Sequence, residues 1–233
     1  MPRPPRPLVN GGCYHLIARS NNRQFLFSHP DAFHQFLSLL ARAKHRYPMK
    51  LYHYCLMSNH IHLLAEIGRG DHLPKFMQAV LQGYGRWYKS RTRSSGHIWQ
   101  GRYKSPLISR ESYFLEAGRY IERNPMRAKL VTDPRDYPWS SYPYYAFGQP
   151  NALLDEDPYY AQLGSIPAAR QAAYREFVRV EPPYDTMLDT QLLETAFWRS
   201  KEERLRFSHS QPLPMSRGHD DLIQRQPLTV FFP

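Results

Sequence analysis

Cysteine is almost missing from this chain. The two present, Cys13 and Cys55, are too few for a disulfide framework and sit at no metal-type spacing, which excludes a disulfide-stapled scaffold and a cysteine-rich zinc module. Long apolar runs are missing too, since no stretch approaches the roughly 18–20 consecutive apolar residues of a membrane span. The N-terminal MPRPPRPLVN carries arginines but is broken by prolines, and it lacks the apolar run of about 7–15 residues that a signal peptide needs. These absences predict a soluble, cytoplasmic protein whose thiols are small core residues. Acidic residues are scarce in the first two-thirds of the chain. Residues 1–150 hold 22 Lys+Arg against 8 Asp+Glu, whereas residues 151–233 hold 9 against 12.

All of the net charge of +11 therefore lies before residue 150. A cationic surface of that size attracts polyanions over about a Debye length and releases counterions from a phosphate backbone on contact, so nucleic acid is the expected partner. With 233 residues and 42% hydrophobic content, the chain suits one core of ordinary size plus an appendage.

The pattern of elements predicts the fold class. Gly12 to Arg19 is rich in β-favouring residues and precedes the turn Ser20-Asn21-Asn22, which reads as a first strand. From Pro30 to His45, Phe33, Phe36, Leu37, Leu39 and Leu40 recur at helical spacing. Lys50 to Met57 alternates between two faces, Ser58-Asn59 supplies a turn, and His60 to Ile67 is a second extended run, together an antiparallel hairpin. Helical spacing returns over 74–93, and again over about 112–124, where Pro125 is expected to end the helix. The order implies an α+β domain over residues 1–150, an antiparallel sheet with helices against one face. Beyond it the reading is a helical extension over 151–206, with stretches near 167–180 and 187–206, and a disordered tail over 207–233.

Two groups of residues carry candidate chemistry. Extended geometry sends the side chains of His60, His62, Leu64 and Glu66 to one face and Ile61, Leu63 and Ala65 to the other, so His60 and His62 stand side by side within reach of one metal ion. A third ligand must come from elsewhere, and His53, on the preceding strand, reads as packing or DNA contact. On the helix after residue 112, positions 113, 117, 120 and 124 share a face, which puts Tyr120 one turn from Asn124. Tyr113 and Tyr120 are both candidate nucleophiles there, and the relation to Asn124 favours Tyr120. Phe114 and Ile121 would anchor this helix on the sheet. A helix ending at Asn124 would leave the amide carbonyl oxygen free to turn toward a metal.

Between Gly83 and Arg110 lie seven basic residues and no acidic one, interleaved with Tyr84, Trp87, Tyr88, Trp99 and Tyr103. Cations that track phosphates beside rings that stack on bases suit single-stranded or hairpin nucleic acid. The candidate contacts are Arg86, Lys89, Arg91, Arg93, Trp99, Arg102, Tyr103 and Lys104, with Arg19, Arg23 and the arginine-proline arm at residues 3–7 in support.

Five stretches, in this order and spacing, resemble the single-tyrosine transposases of the HUH class, and in particular the bacterial REP-associated tyrosine transposases of the IS200-like group. They are GCYHLIARSNNR, YCLMSNHIHLLAE, IWQGRYKS, RYIERNPMRAKLV and YPWSSY, covering roughly residues 10–145. The resemblance implies a ferredoxin-like core in which His60 and His62 stand at the two metal-binding histidines, Asn124 at a third, amide-type ligand, and Tyr120 at the nucleophile. It implies Mg²⁺ or Mn²⁺ and no nucleotide cofactor, a 5′-phosphotyrosine link, folded hairpins of repetitive extragenic palindromes as DNA partner, and a monomer or homodimer at the nucleoid. A replication-type or relaxase-type nickase, and a catalytically silent hairpin-binding repressor on the same fold, are the alternative readings.

Overall fold

In the computed structural model, which describes residues 8–108 and 112–180, four strands pair antiparallel in the spatial order β2-β3-β1-β4. They are β1 (Gly12–Arg19), β2 (Met49–Met57), β3 (His60–Ile67) and the two-residue β4 (Leu107–Ile108). Helices α1 (Pro30–Arg46) and α2 (His72–Thr92) complete a β-α-β-β-α-β succession, the ferredoxin-like arrangement. The expected boundaries of β1, β2, β3, α1 and α2 fall within two residues of those observed, because alternation and helical spacing are local properties.

One sheet face carries Tyr14, Leu16 and Ala18 of β1 and Ile61, Leu63, Ala65 and Ile67 of β3, packed against Phe33, Phe36 and Leu40 of α1 and Phe76, Val80 and Tyr84 of α2. The two helices lie close enough that a Cβ on Gly83 would sit 2.6 Å from Leu39 Cδ2. The opposite face is covered as well, which corrects the expectation of helices on one side only. Cys13, Tyr52, Cys55, Met57 and Leu64 form a second apolar patch, and α3 (Ser112–Arg127) lays Phe114, Ala117, Tyr120 and Ile121 on it. An apolar patch of this extent drives a further layer over the sheet.

Helix α3 runs through Pro125 to Arg127 rather than stopping at Asn124. A proline in a helix leaves the carbonyl four residues earlier without its donor, here that of Ile121. Asn124 makes up the loss: its side-chain Nδ2 donates to Tyr120 O at 2.8 Å and to Ile121 O at 3.2 Å.

Residues 151–180 pack onto this second layer. Tyr142, Tyr145 and Ala146 of α4 (Tyr142–Phe147) join Tyr160 and, from α5 (Pro167–Arg179), Tyr174 and Val178 in a third apolar cluster. Arg123 of α3 donates to Val178 O and Arg179 O, satisfying carbonyls at the C-terminal end of α5, and Arg119 donates to Phe177 O. The acidic run at 155–157 contributes two anchors: Asp155 accepts from Leu51 N and Lys44, and Asp157 is buried. The expected helix near 187–206, the tail over 207–233 and the arm at residues 3–7 lie outside the described residues. No described helix is long and apolar enough to cross a membrane.

A buried ion cluster joins these layers. A bulge between Leu51 and His53 turns His53 to the α3 face, where it is fully enclosed. Its Nδ1 lies 3.0 Å from Glu122 of α3 and its Nε2 3.0 Å from Asp157. Tyr174 and Ser141 donate to Glu122, the Tyr159 backbone N–H donates to Asp157, and Tyr145 stacks on the imidazole. Burial works against the charge, but the two carboxylates outweigh it and raise the His53 pKa to about 9. Gly118 lets α3 come this close, since a Cβ there would meet the imidazole at 2.6 Å.

Two outcomes are expected of this cluster. The stabilisation due to charged His53 is complete below its ordinary pKa of 6.5 and is lost as pH rises through about 9, so thermal midpoints fall across that window in the wild type and not in His53→Gln. His53→Leu, which leaves two carboxylates without their cation, lowers stability in chemical denaturation by about 3–5 kcal/mol.

Candidate active site

The His60–His62 face of β3 looks toward α3. In the sheet ladder Arg19 stands opposite His60 and Ile17 opposite His62, while Cys55 and Met57 flank the pair from β2. The two imidazole centroids lie 4.9 Å apart. From α3 the Tyr120 ring reaches within 6.1 Å of the His62 ring, edge on. Arg127, two turns along from Tyr120, holds its guanidinium 4.7 Å from the centre of that ring. The structure thus brings His60, His62, Arg19 and Tyr120 to one side of the sheet.

Among the described residues, His60 and His62 each have one ring nitrogen hydrogen-bonded and one without a hydrogen bond. His60 Nδ1 is 2.6 Å from the side-chain oxygen of Asn59, which can only accept, so the proton is on Nδ1 and Nε2 keeps its lone pair. His62 Nδ1 is 2.9 Å from Nε2 of His15, a fully buried residue of β1 whose ring also lies 5.8 Å from that of Tyr120. Burial, reinforced by Arg19, lowers the His60 pKa to about 3. Burial lowers that of His15 to about 3 as well. His62 is pushed well below 6.5 by burial and by His60, His15 and Arg127. All three rings are neutral at pH 7, the form that ligates metals.

Among the described residues no group of three or more His, Cys, Asp or Glu is arranged to hold a metal ion. The donors present are of another kind: Nε2 of His60, Nε2 of His62 and the carbonyl oxygen of Asn124, whose nitrogen is committed to the backbone of its own helix. Imidazole nitrogens and an amide oxygen are donor types that would suit a hard or borderline divalent ion; Asn124 stands one turn from Tyr120 on α3. Tyr120 itself is only 4% exposed. The side chain of the other candidate, Tyr113, lies outside the described ones.

The basic residues divide into two zones. Lys104 pairs with Ile17 across the sheet edge and, with Arg19, shares the strand face of the histidines. Arg86, Lys89, Trp99, Arg102 and Tyr103 instead line a groove of about 850 Å³ between α2 and the segment 97–103. Trp99 forms its wall, with the indole N–H donated to Leu81 O and the ring packed near Tyr84. Arg91 pairs with Asp31 at 3.2 Å, Arg93 ends α2 in left-handed geometry, and Arg23 lies in a short 3-10 turn.

Residues 9–124 match the family model described as IS200-like transposase. The chain belongs to the IS200-like transposase family. A Haemophilus influenzae relative described as a putative REP-associated tyrosine transposase is 25% identical over 150 residues, which span 59% of this chain and 83% of the relative. Among solved structures, a REP-associated tyrosine transposase bound to a REP hairpin superposes with a TM-score of 0.53 at 19% identity, over 67% of this chain and 93% of that one. That likeness supports the shared fold of this transposase family member, including the α+β class read from its pattern.

Sequence patterning does not single out His15, Arg127 or the tautomer-setting Asn59. The signal for His15 is its strand parity, which acquires meaning only once the β1–β3 register is known. Arg127 is seven residues from Tyr120, a relation that a helix stopping at Pro125 conceals. In histidine carbon NMR, the His60 imidazole stays neutral through the physiological range and titrates only as pH falls toward about 3. A midpoint near 6.5 contradicts this account of the site.

Proposed function

We propose that this chain is a metal-dependent DNA transposase that cleaves and rejoins single-stranded or hairpin DNA through a 5′-phosphotyrosine at Tyr120, acting on repetitive extragenic palindromes. The observation that carries the reading is the approach of the Tyr120 ring to His62 from a separate element, with Asn124 one turn further along the same helix. Family membership and a structural relative bound to a REP hairpin support it.

His60 and His62 would hold the ion through Nε2, and Asn124 through its carbonyl oxygen. Mg²⁺ or Mn²⁺ held there would neutralise charge on the scissile phosphate and favour deprotonation of the phenol. Neutral ligands leave the ion its full charge for that purpose. The Tyr120 oxygen attacks phosphorus, the new O–P bond replaces the bond to the 3′-oxygen, and that oxygen departs as a 3′-hydroxyl after taking up a proton. The ester formed is close in energy to the one broken, so the hydroxyl of another DNA end reverses the step without ATP. Arg127 sets a cation beside the ring that becomes negative. Arg19 and Lys104 add positive charge on the histidine face, and the α2 groove with Arg86, Lys89 and Arg102 offers a track for the hairpin backbone.

The near-complete burial of Tyr120 favours a second reading, a hairpin-binding protein that does not cut. Incubation with labelled hairpin DNA and Mn²⁺ separates the two. Wild type yields a covalent adduct on denaturing gels and Tyr120→Phe yields none; an adduct that survives the substitution rules out this nucleophile, and no adduct from wild type establishes the silent binder. Reversing Arg86, Lys89 and Arg102 to Glu weakens hairpin binding for all sequences alike and flattens its salt dependence, by about one unit of slope for each phosphate no longer neutralised.

A further inference from the structure

The two histidines of β3 are treated alike by their surroundings, although by different partners. Asn59 accepts the Nδ1 proton of His60, which commits Nε2 of that ring to donating its lone pair. The Nδ1 of His62 faces Nε2 of His15 at 2.9 Å. A ring that ligates through Nε2 carries its proton on Nδ1, so His62 needs an acceptor at that position. His15 is on the same sheet face, two residues from Ile17, the ladder partner of His62. It is fully enclosed, and among the described residues its Nδ1 has no hydrogen-bond partner. A buried histidine with one orphaned nitrogen and the other aimed at a neighbouring imidazole is hard to explain by packing alone, because an apolar ring would fill the same space without the desolvation cost.

We propose that His15 is a positioning residue that accepts the Nδ1 proton of His62, and so fixes both the ring plane of His62 and the presentation of its Nε2. This rests on the reading of His60, His62 and Asn124 as a metal centre. His15 also lies edge on to the Tyr120 ring, so one buried side chain sets the spacing between the ligand on β3 and the nucleophile on α3.

The test replaces His15 with Phe, which fills the volume but accepts nothing, and with Gln, whose side-chain oxygen accepts a proton in the same region. Mn²⁺ affinity is read directly from the free-ion EPR signal of the purified full-length protein, with thermal midpoint and hairpin binding in EDTA measured alongside. His15→Phe weakens Mn²⁺ binding by about 10–100-fold while His15→Gln stays within roughly threefold of wild type, the range set by outer-shell partners of ligating histidines. EDTA-insensitive hairpin binding is unchanged in both. Equal Mn²⁺ affinity in wild type and His15→Phe overturns the role of His15 alone. Equal losses in both variants with a matching fall in thermal midpoint also overturn it, by showing a packing residue. A wild type that takes up no Mn²⁺ refutes the metal centre and the proposal with it.

Discussion

The position of α3 is decided by a charge that has no access to water. His53 is held between Glu122 of α3 and Asp157 of the segment after α4, and each of those carboxylates is satisfied by further donors. Removing His53 leaves two uncompensated carboxylates in the interior, and removing either carboxylate breaks one of the two links, so the three segments are fixed to one another more sharply than apolar contact alone would fix them. The apolar patch of Phe114, Ala117 and Ile121 gives α3 its affinity for the sheet; the ion cluster and the close approach at Gly118 give it its register. That register places the nucleophile candidate beside the paired histidines. Residues 151–180 therefore bear on the site from a distance, through the carboxylate of Asp157 and the carbonyls that hold Arg119 and Arg123.

The chemistry of the site comes from suppressing charge rather than collecting it. Three imidazoles in close succession would repel one another if protonated, and burial keeps them neutral. Positive charge is supplied instead by Arg19 and Arg127 at the margins, where an incoming polyanion would meet it. Neutral donors inside and cations outside is the arrangement that the proposed metal-dependent reaction on a phosphate would call for.

Much of this is legible in the sequence, and the remainder is hidden for one recurring reason. The strands, α1, α2 and the hairpin can be read because alternation and helical spacing are written in neighbouring residues. The faces of His60, His62 and Ile61 can be read for the same cause. The bulge at Tyr52 cannot: it reverses the parity of β2 and sends His53 to the second layer, and nothing in MKLYHYCLM announces it. Nor can the diagonal approach of His15 to His62, which depends on pairing between strands more than forty residues apart. The apparent stop at Pro125 misleads because the compensating donor is a side chain, that of Asn124, which the rule for backbone hydrogen bonds does not count.

That same amide has a mechanical meaning. By bonding to the carbonyl of Tyr120, Asn124 ties the proposed third donor to the very residue that would perform the attack. Nucleophile and ligand form a single rigid body, linked through less than one and a half turns of helix. Should α3 tilt to admit a substrate, or lodge against the histidines of a different molecule, the two would arrive together or not at all.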